Sequence, residues 1–166
     1  MSVFKTTFSR ALTVIPTDNA NVPYPSIAVQ GESIPTGTAV NQLIVLSPIN
    51  FITSNVATGD IVYNLTDNKG ATVVKVIDAT TLELNADIFQ NPFATFVVYS
   101  ASPQTSNGNQ GCFLYVGGAG NVKVTTIGQD VVTFTAVPVG TVLPVQVVKV
   151  HSAASGTTAT LINALW

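Results

Sequence analysis

The chain has 166 residues, 46% of them hydrophobic and only 8% charged, with a net charge of −2 and one each of Cys, His, Met and Trp. Six Lys and Arg dispersed along it cannot form the dense basic face that counterion release on nucleic acid requires, so nucleic acid is excluded as the expected partner. A single Cys and a single His rule out an intrachain disulfide and fall short of the ligand set of a zinc or iron–sulfur site, so no metal and no cofactor is expected.

Mean hydropathy is +0.44, yet no run approaches the roughly 18 consecutive apolar residues of a spanning helix, and no membrane partner is expected. Lys5 and Arg10 are followed only by the short run 11–15 before Pro16, which makes an unconvincing signal peptide. Val, Ile and Thr supply roughly a third of the chain, the β-branched excess that suits pleated surfaces. The expected fold class is therefore all-β. With so little charge, the surface must be finished in Thr, Ser, Asn and Gln or covered by other chains.

In chain order, 8–15 reads as a strand closed by the turn residues Pro16, Thr17, Asp18 and Asn19. Residues 16–39 carry Pro16, Pro23, Pro25 and Pro35 with Gly31 and Gly37. They read as an extended arm with sheet pairing limited to pieces such as 26–30, and such an arm is expected to lie along a neighbouring chain. Residues 40–101 are expected to hold short strands at 42–46, 58–65, 72–77, 81–84 and 96–99, with a helical turn at 86–90. Turn residues fill the gaps, which predicts a small barrel-like module. Residues 102–110 read as a linker or exposed loop.

Strands then follow closely at 112–116, 121–127, 131–136, 142–150 and 158–165. Gly117-Gly-Ala-Gly120 is expected to be a tight hairpin. Val132, Phe134 and Ala136 are expected on one face of a half-buried strand, with Val131, Thr133 and Thr135 on the other. In 145–150, Val falls on both faces, which predicts cover on both sides. The architecture expected is a C-terminal antiparallel β-sandwich, jelly-roll-like, with a small β-barrel-like inserted module and an extended N-terminal arm. Its divisions fall at 1–39, 40–101 and 102–166.

Chemistry is thin. The imidazole of His151 and the hydroxyl of Ser152 sit next to each other, so on a strand they point to opposite faces, and His151 reads as a packed or solvated strand-end residue. Gly31-Glu-Ser-Ile-Pro35 lacks the closing Gly of a nucleophile elbow. Asp67, Asp78 and Asp130 fit the turn role of Asp, and Asp60 is likewise a turn residue first. Asn64-Leu-Thr66 matches a glycosylation sequon but reads as a strand end. Cys112 reads as a small buried hydrophobe. No catalytic residue is assigned and no enzyme is expected.

The stretch from Cys112-Phe-Leu-Tyr-Val-Gly-Gly-Ala-Gly-Asn-Val-Lys-Val-Thr-Thr126 through Val137-Pro-Val-Gly140 and Leu143-Pro-Val-Gln-Val-Val-Lys-Val150 to Gly156-Thr-Thr-Ala159 and Trp166 resembles the spike-base family of tailed-phage heads and phage-like gene transfer agents. It covers about the last 55 residues. The whole chain resembles structural proteins of cyanobacterial and other marine tailed-phage virions, which place a Gly59-Asp-Ile-Val-Tyr-Asn64-type module before that region. The resemblance implies a homo-oligomeric, non-enzymatic structural protein located in the virion. It would decorate the capsid or form the base of a spike or fibre, with the major capsid protein or other virion proteins as partners. Alternatives are a tail, neck or baseplate component, or a receptor- or carbohydrate-binding module that stacks on Tyr63, Phe93 and Tyr99, although aromatics in such positions are more often core. Arg10, Tyr24 and Trp166 are the expected oligomer or shell contacts.

Overall fold

A computed structural model describes residues 7–34, 39–101 and 111–166. The linker expected at 102–110 lies outside the described residues, as do Pro35 and Gly37 of the arm. The protein is all-β, with two antiparallel six-stranded sheets and, among the described residues, one 3₁₀ turn at Ala153–Ser155. The helical turn expected at 86–90 is absent: that segment is irregular, and Asp87 and Gln90 bond each other through their side chains.

Chain order gives β1 (Ala11–Thr13), β2 (Ile27–Glu32), β3 (Gln42–Ile44), β4 (Ile61–Asn64), β5 (Lys69–Val76), β6 (Thr81–Leu84) and β7 (Thr95–Tyr99). It continues with β8 (Cys112–Gly118), β9 (Gly120–Thr126), β10 (Val131–Val137), β11 (Thr141–Val150) and β12 (Thr160–Leu165). The middle sheet runs β2-β7-β4-β5-β6-β3. Its two edges meet where the Ile34 N–H donates to the Ile44 carbonyl, so the sheet curls around its own core. Phe51, Phe89, Phe96, Leu43, Leu82, Val62 and Val98 fill that core, each worth about 1.5–3 kcal/mol of burial. The module thus includes β2 from the arm.

The C-terminal sheet runs β1-β12-β8-β11-β9-β10. β8 and β9 are both antiparallel to β11 and flank it, so they run in the same direction with only Ala119 between them. The hairpin expected at Gly117–Gly120 is therefore a bend within one continuous strand. Glycine is needed there because the bend presses on the start of β12. A Cβ on Gly117 would meet the Leu161 carbonyl oxygen at 2.8 Å, one on Gly118 would collide with the Thr160 side chain, and one on Gly120 would meet the Ala159 nitrogen at 2.5 Å. The bent strand folds the sheet over one core, to which β8 gives Cys112, Leu114 and Val116, β9 gives Val122 and Val124, and β11 gives Leu143, Val147 and Val150.

In β10 the expected alternation stops at a bulge between Phe134 and Val137, where Ala136 takes a φ of +51°. The extra residue turns Ala136 outward, and Val137 enters the core instead. β11 lies inside its sheet, and the arm covers part of its far end through the Val22 N–H to Val148 carbonyl bond.

Candidate functional site

The arm between β1 and β2 was expected along a neighbouring chain, but residues 14–22 lie between the two sheets of their own chain. Toward the C-terminal sheet, the backbone N–H groups of Val14, Thr17 and Val22 donate to the carbonyls of Ile162, Val150 and Val148. Toward the middle sheet, the Thr17 hydroxyl donates to the Gly70 carbonyl at 3.0 Å, and the Asn19 carbonyl accepts from Thr72 and Asn85. Ile15 and Ala20 pack against Ile61, Tyr63, Val97 and Tyr99. Proline suits this path because it removes N–H groups that an irregular, half-buried segment would leave unpaired.

This packing corrects the glycan-stacking reading. Tyr63 and Tyr99 are buried in the seam, edge to face at 5.6 Å, and burial pushes both hydroxyls above the usual tyrosine range. Phe93 alone of the three is exposed, at 59%. Asn64, the sequon residue, is fully buried. Its amide donates to Asp67 and to the Ile88 carbonyl, and its oxygen accepts from the Thr66 and Asp67 N–H groups. Ser33 is likewise buried, with its hydroxyl oxygen accepting the Ala94 N–H. Asp60 accepts the N–H groups of Ala57 and Ala101, fixing the turn before β4 and the chain after β7.

A second correction concerns His151. β11 ends at Val150, so strand alternation no longer separates His151 from Ser152, and both reach the carboxylate of Asp18 in the arm. His151 Nδ1 lies 2.9 Å from Asp18 Oδ1, and the hydroxyls of Ser152 and Ser155 donate to Oδ2. Lys149 Nζ donates to the Asp18 carbonyl at 3.2 Å. The other ring nitrogen, Nε2, lies 2.9 Å from the Thr125 hydroxyl on β9. Burial alone would raise the Asp18 carboxyl, but hydrogen bonds from Ser152, Ser155, His151 and the Ser152 N–H outweigh it and hold the group at about 2.

The connectivity hydroxyl–imidazole–carboxylate is that of a nucleophilic triad. Beside it, the sheets and the arm enclose a cleft of about 840 Å³, lined by Asp18, Asn19, Lys69, Asp87, Ser152 and Thr158 among others. Thr125 and His151 are not among the lining residues, and Ser152 bonds the carboxylate rather than the imidazole. The arrangement fastens the arm to the end of β11.

The expected contact residues Arg10, Tyr24 and Trp166 come together in one cluster. The Arg10 guanidinium lies 5.6 Å over the Tyr24 ring and donates to the Pro25 carbonyl at 2.8 Å. Tyr24 meets Trp166 edge to face at 5.5 Å. The Trp166 backbone N–H donates to the Arg10 carbonyl, and the Trp166 carbonyl accepts from the Ser9 and Arg10 backbone N–H groups. Arg10 is exposed while Tyr24 and Trp166 are half-buried, so a cation rests on an aromatic pair at the sheet edge. No family model, no curated protein and no solved structure matches this chain.

Trp166 packs inward against the C-terminal core, and a separate apolar stripe lies on the outer face of the same sheet. Phe113 and Tyr115 leave the outer face of β8 while Cys112, Leu114 and Val116 point inward. Phe8 stacks on Phe113 at 5.7 Å, Tyr115 pairs in register with Val142 and Asn163, and Leu161 is 71% exposed. Sequence reasoning did not find this stripe, although the alternation in Cys112-Phe-Leu-Tyr-Val116 carries the signal. The middle module exposes Ile27, Val40, Leu46, Ile52 and Val74 as well.

Proposed function

We propose that this chain is a non-enzymatic structural subunit of a tailed-phage virion, a homo-oligomer that decorates the capsid or forms the base of a spike or fibre on the head. One observation carries the reading: large apolar side chains stand exposed on both modules, in a chain with only 14 Lys, Arg, Asp and Glu in all. An apolar, weakly charged surface of that extent loses free energy by being covered, and it associates unless covered. The exposed Arg10 over Tyr24 and, on the outer face, the stripe over Phe113 and Tyr115 suit such a contact because Arg and aromatic side chains carry most interface energy.

The hydrogen bonds and apolar contacts that hold the arm between the sheets favour rigidity over a closing site, and rigidity is what a building block needs. Gold-labelled antibody against the purified protein, applied to phage particles from a lysate in which the chain is made, tests the proposal. Label on intact heads is expected. Label confined to tails or baseplates would move the subunit to that part of the particle, and label absent from all particles would overturn the reading.

A further inference from the structure

Among the described residues, β10 is the longest strand edge without a partner. It pairs with β9 on one side only and ends the C-terminal sheet. The other edges are blunted: β1 and β3 have three residues each, while β2 ends in Glu32 and its sheet closes through Ile34 and Ile44. In β10, Val131-Val-Thr-Phe-Thr-Ala-Val137 has no charge, no proline and no inward-pointing polar group, and the one edge-protecting device it carries, the bulge after Phe134, leaves 131–134 regular. Val131 is 57% exposed and Val132 is 40% exposed.

We propose that the outer edge of β10 pairs antiparallel with β10 of a second copy of this chain, across a two-fold axis at Thr133. The proposal rests on the homo-oligomeric reading and names one of its contacts. Self-complementarity favours a second copy and sets the register. The bulge between Phe134 and Val137, with a φ of +51° at Ala136, ends regular pairing, so the regular edge is 131–134. A two-fold on Thr133 sets Val132 against Phe134 within that run, a β-branched and aromatic pair of the kind that stabilises cross-strand contacts.

Charge agrees with a second copy. The adjoining Asp130 carboxylates fall at opposite ends of the paired segment, roughly 20 Å apart at the strand rise and well beyond the screening length. A two-fold contact is self-complementary and closes at a dimer, so a larger particle also uses the Arg10–Tyr24–Trp166 surface.

The test is disulfide trapping with Thr133→Cys, using Val139→Cys, exposed but off the strand, as control. Residues directly opposite in an antiparallel pair have the Cα separation a disulfide needs, and Cys112 is buried and does not compete. T133C is expected to cross-link fully at low protein concentration under mild oxidation, while V139C stays monomeric on a denaturing gel. A variant that keeps its circular dichroism and melting curve but carries Val132→Lys is expected to lose about two-fold in native mass. A wild-type protein that assembles while T133C stays unlinked and V132K keeps its mass would overturn the β10 contact alone. A wild-type monomer at every concentration would overturn the oligomeric reading and this contact together.

Discussion

Replacing Asp18 with Asn tests whether the arm is fastened by charge. The Asp18 carboxyl goes from 3.8 to about 2 on folding, and each unit corresponds to about 1.4 kcal/mol, so the undiscounted linkage is about 2.5 kcal/mol. Asp18 is 40% exposed, and solvent screening reduces the usable part to about 1 kcal/mol. Because the folded value is depressed, this stability is present above about pH 4 and is lost as pH falls through about 2. Asn keeps the shape and loses the charge, so D18N is expected to melt about 2–4 °C below wild type at pH 7. The gap should close as both proteins approach pH 2. Melting followed by circular dichroism at fixed protein concentration, at both pH values, reads it. Equal melting temperatures at pH 7, or a gap that persists unchanged at pH 2, would refute the reasoning.

Other substitutions probe the corners of the fold. Asn64→Ala strands the Ile88 carbonyl and the Thr66 and Asp67 N–H groups, and urea unfolding is expected to show a loss of about 2–3 kcal/mol. Gly120→Ala drives a Cβ into the backbone of residues 158–159 and should cost about 1–3 kcal/mol or more. Gly140→Ala, at a φ of +83° with nothing within 4 Å, should cost only about 1 kcal/mol for its backbone conformation. The Cys112 thiol, buried in the core and pushed up to about 12 by desolvation, should resist a thiol reagent at pH 8 in the native protein and react fully in denaturant. Rapid native labelling would place it outside the core.

Most strands were legible because runs such as Ile61-Val-Tyr and Thr72-Val-Val-Lys-Val76 combine β-branched residues with turn residues at both ends. Partners were less legible. The glycines at 117–120 signal close approach of backbone, which a hairpin and a bend against β12 both require, and only the pairing of β11 with β8 and β9 separates the two. The bulge at Ala136 leaves no compositional mark. Sequence reasoning named Arg10, Tyr24 and Trp166 separately, and the structure brings the three side chains together. The Asp18 fastening went unseen because His151 and Asp18 are 133 residues apart and neither sits in a local motif. Between the stacking and the core roles of Tyr63 and Tyr99 the sequence did not decide, because β4 and β7 are buried on both faces, Val62 and Val98 in the module core and Tyr63 and Tyr99 in the seam with the arm, which alternation alone does not reveal.

The central claim is that this surface is built to be covered by further copies, and native mass by light scattering across a concentration series tests it most directly. The account predicts a discrete, symmetric assembly of two or more chains, with negative-stain images of the same fractions showing closed particles. A disperse monomer that stays soluble at high concentration would contradict it.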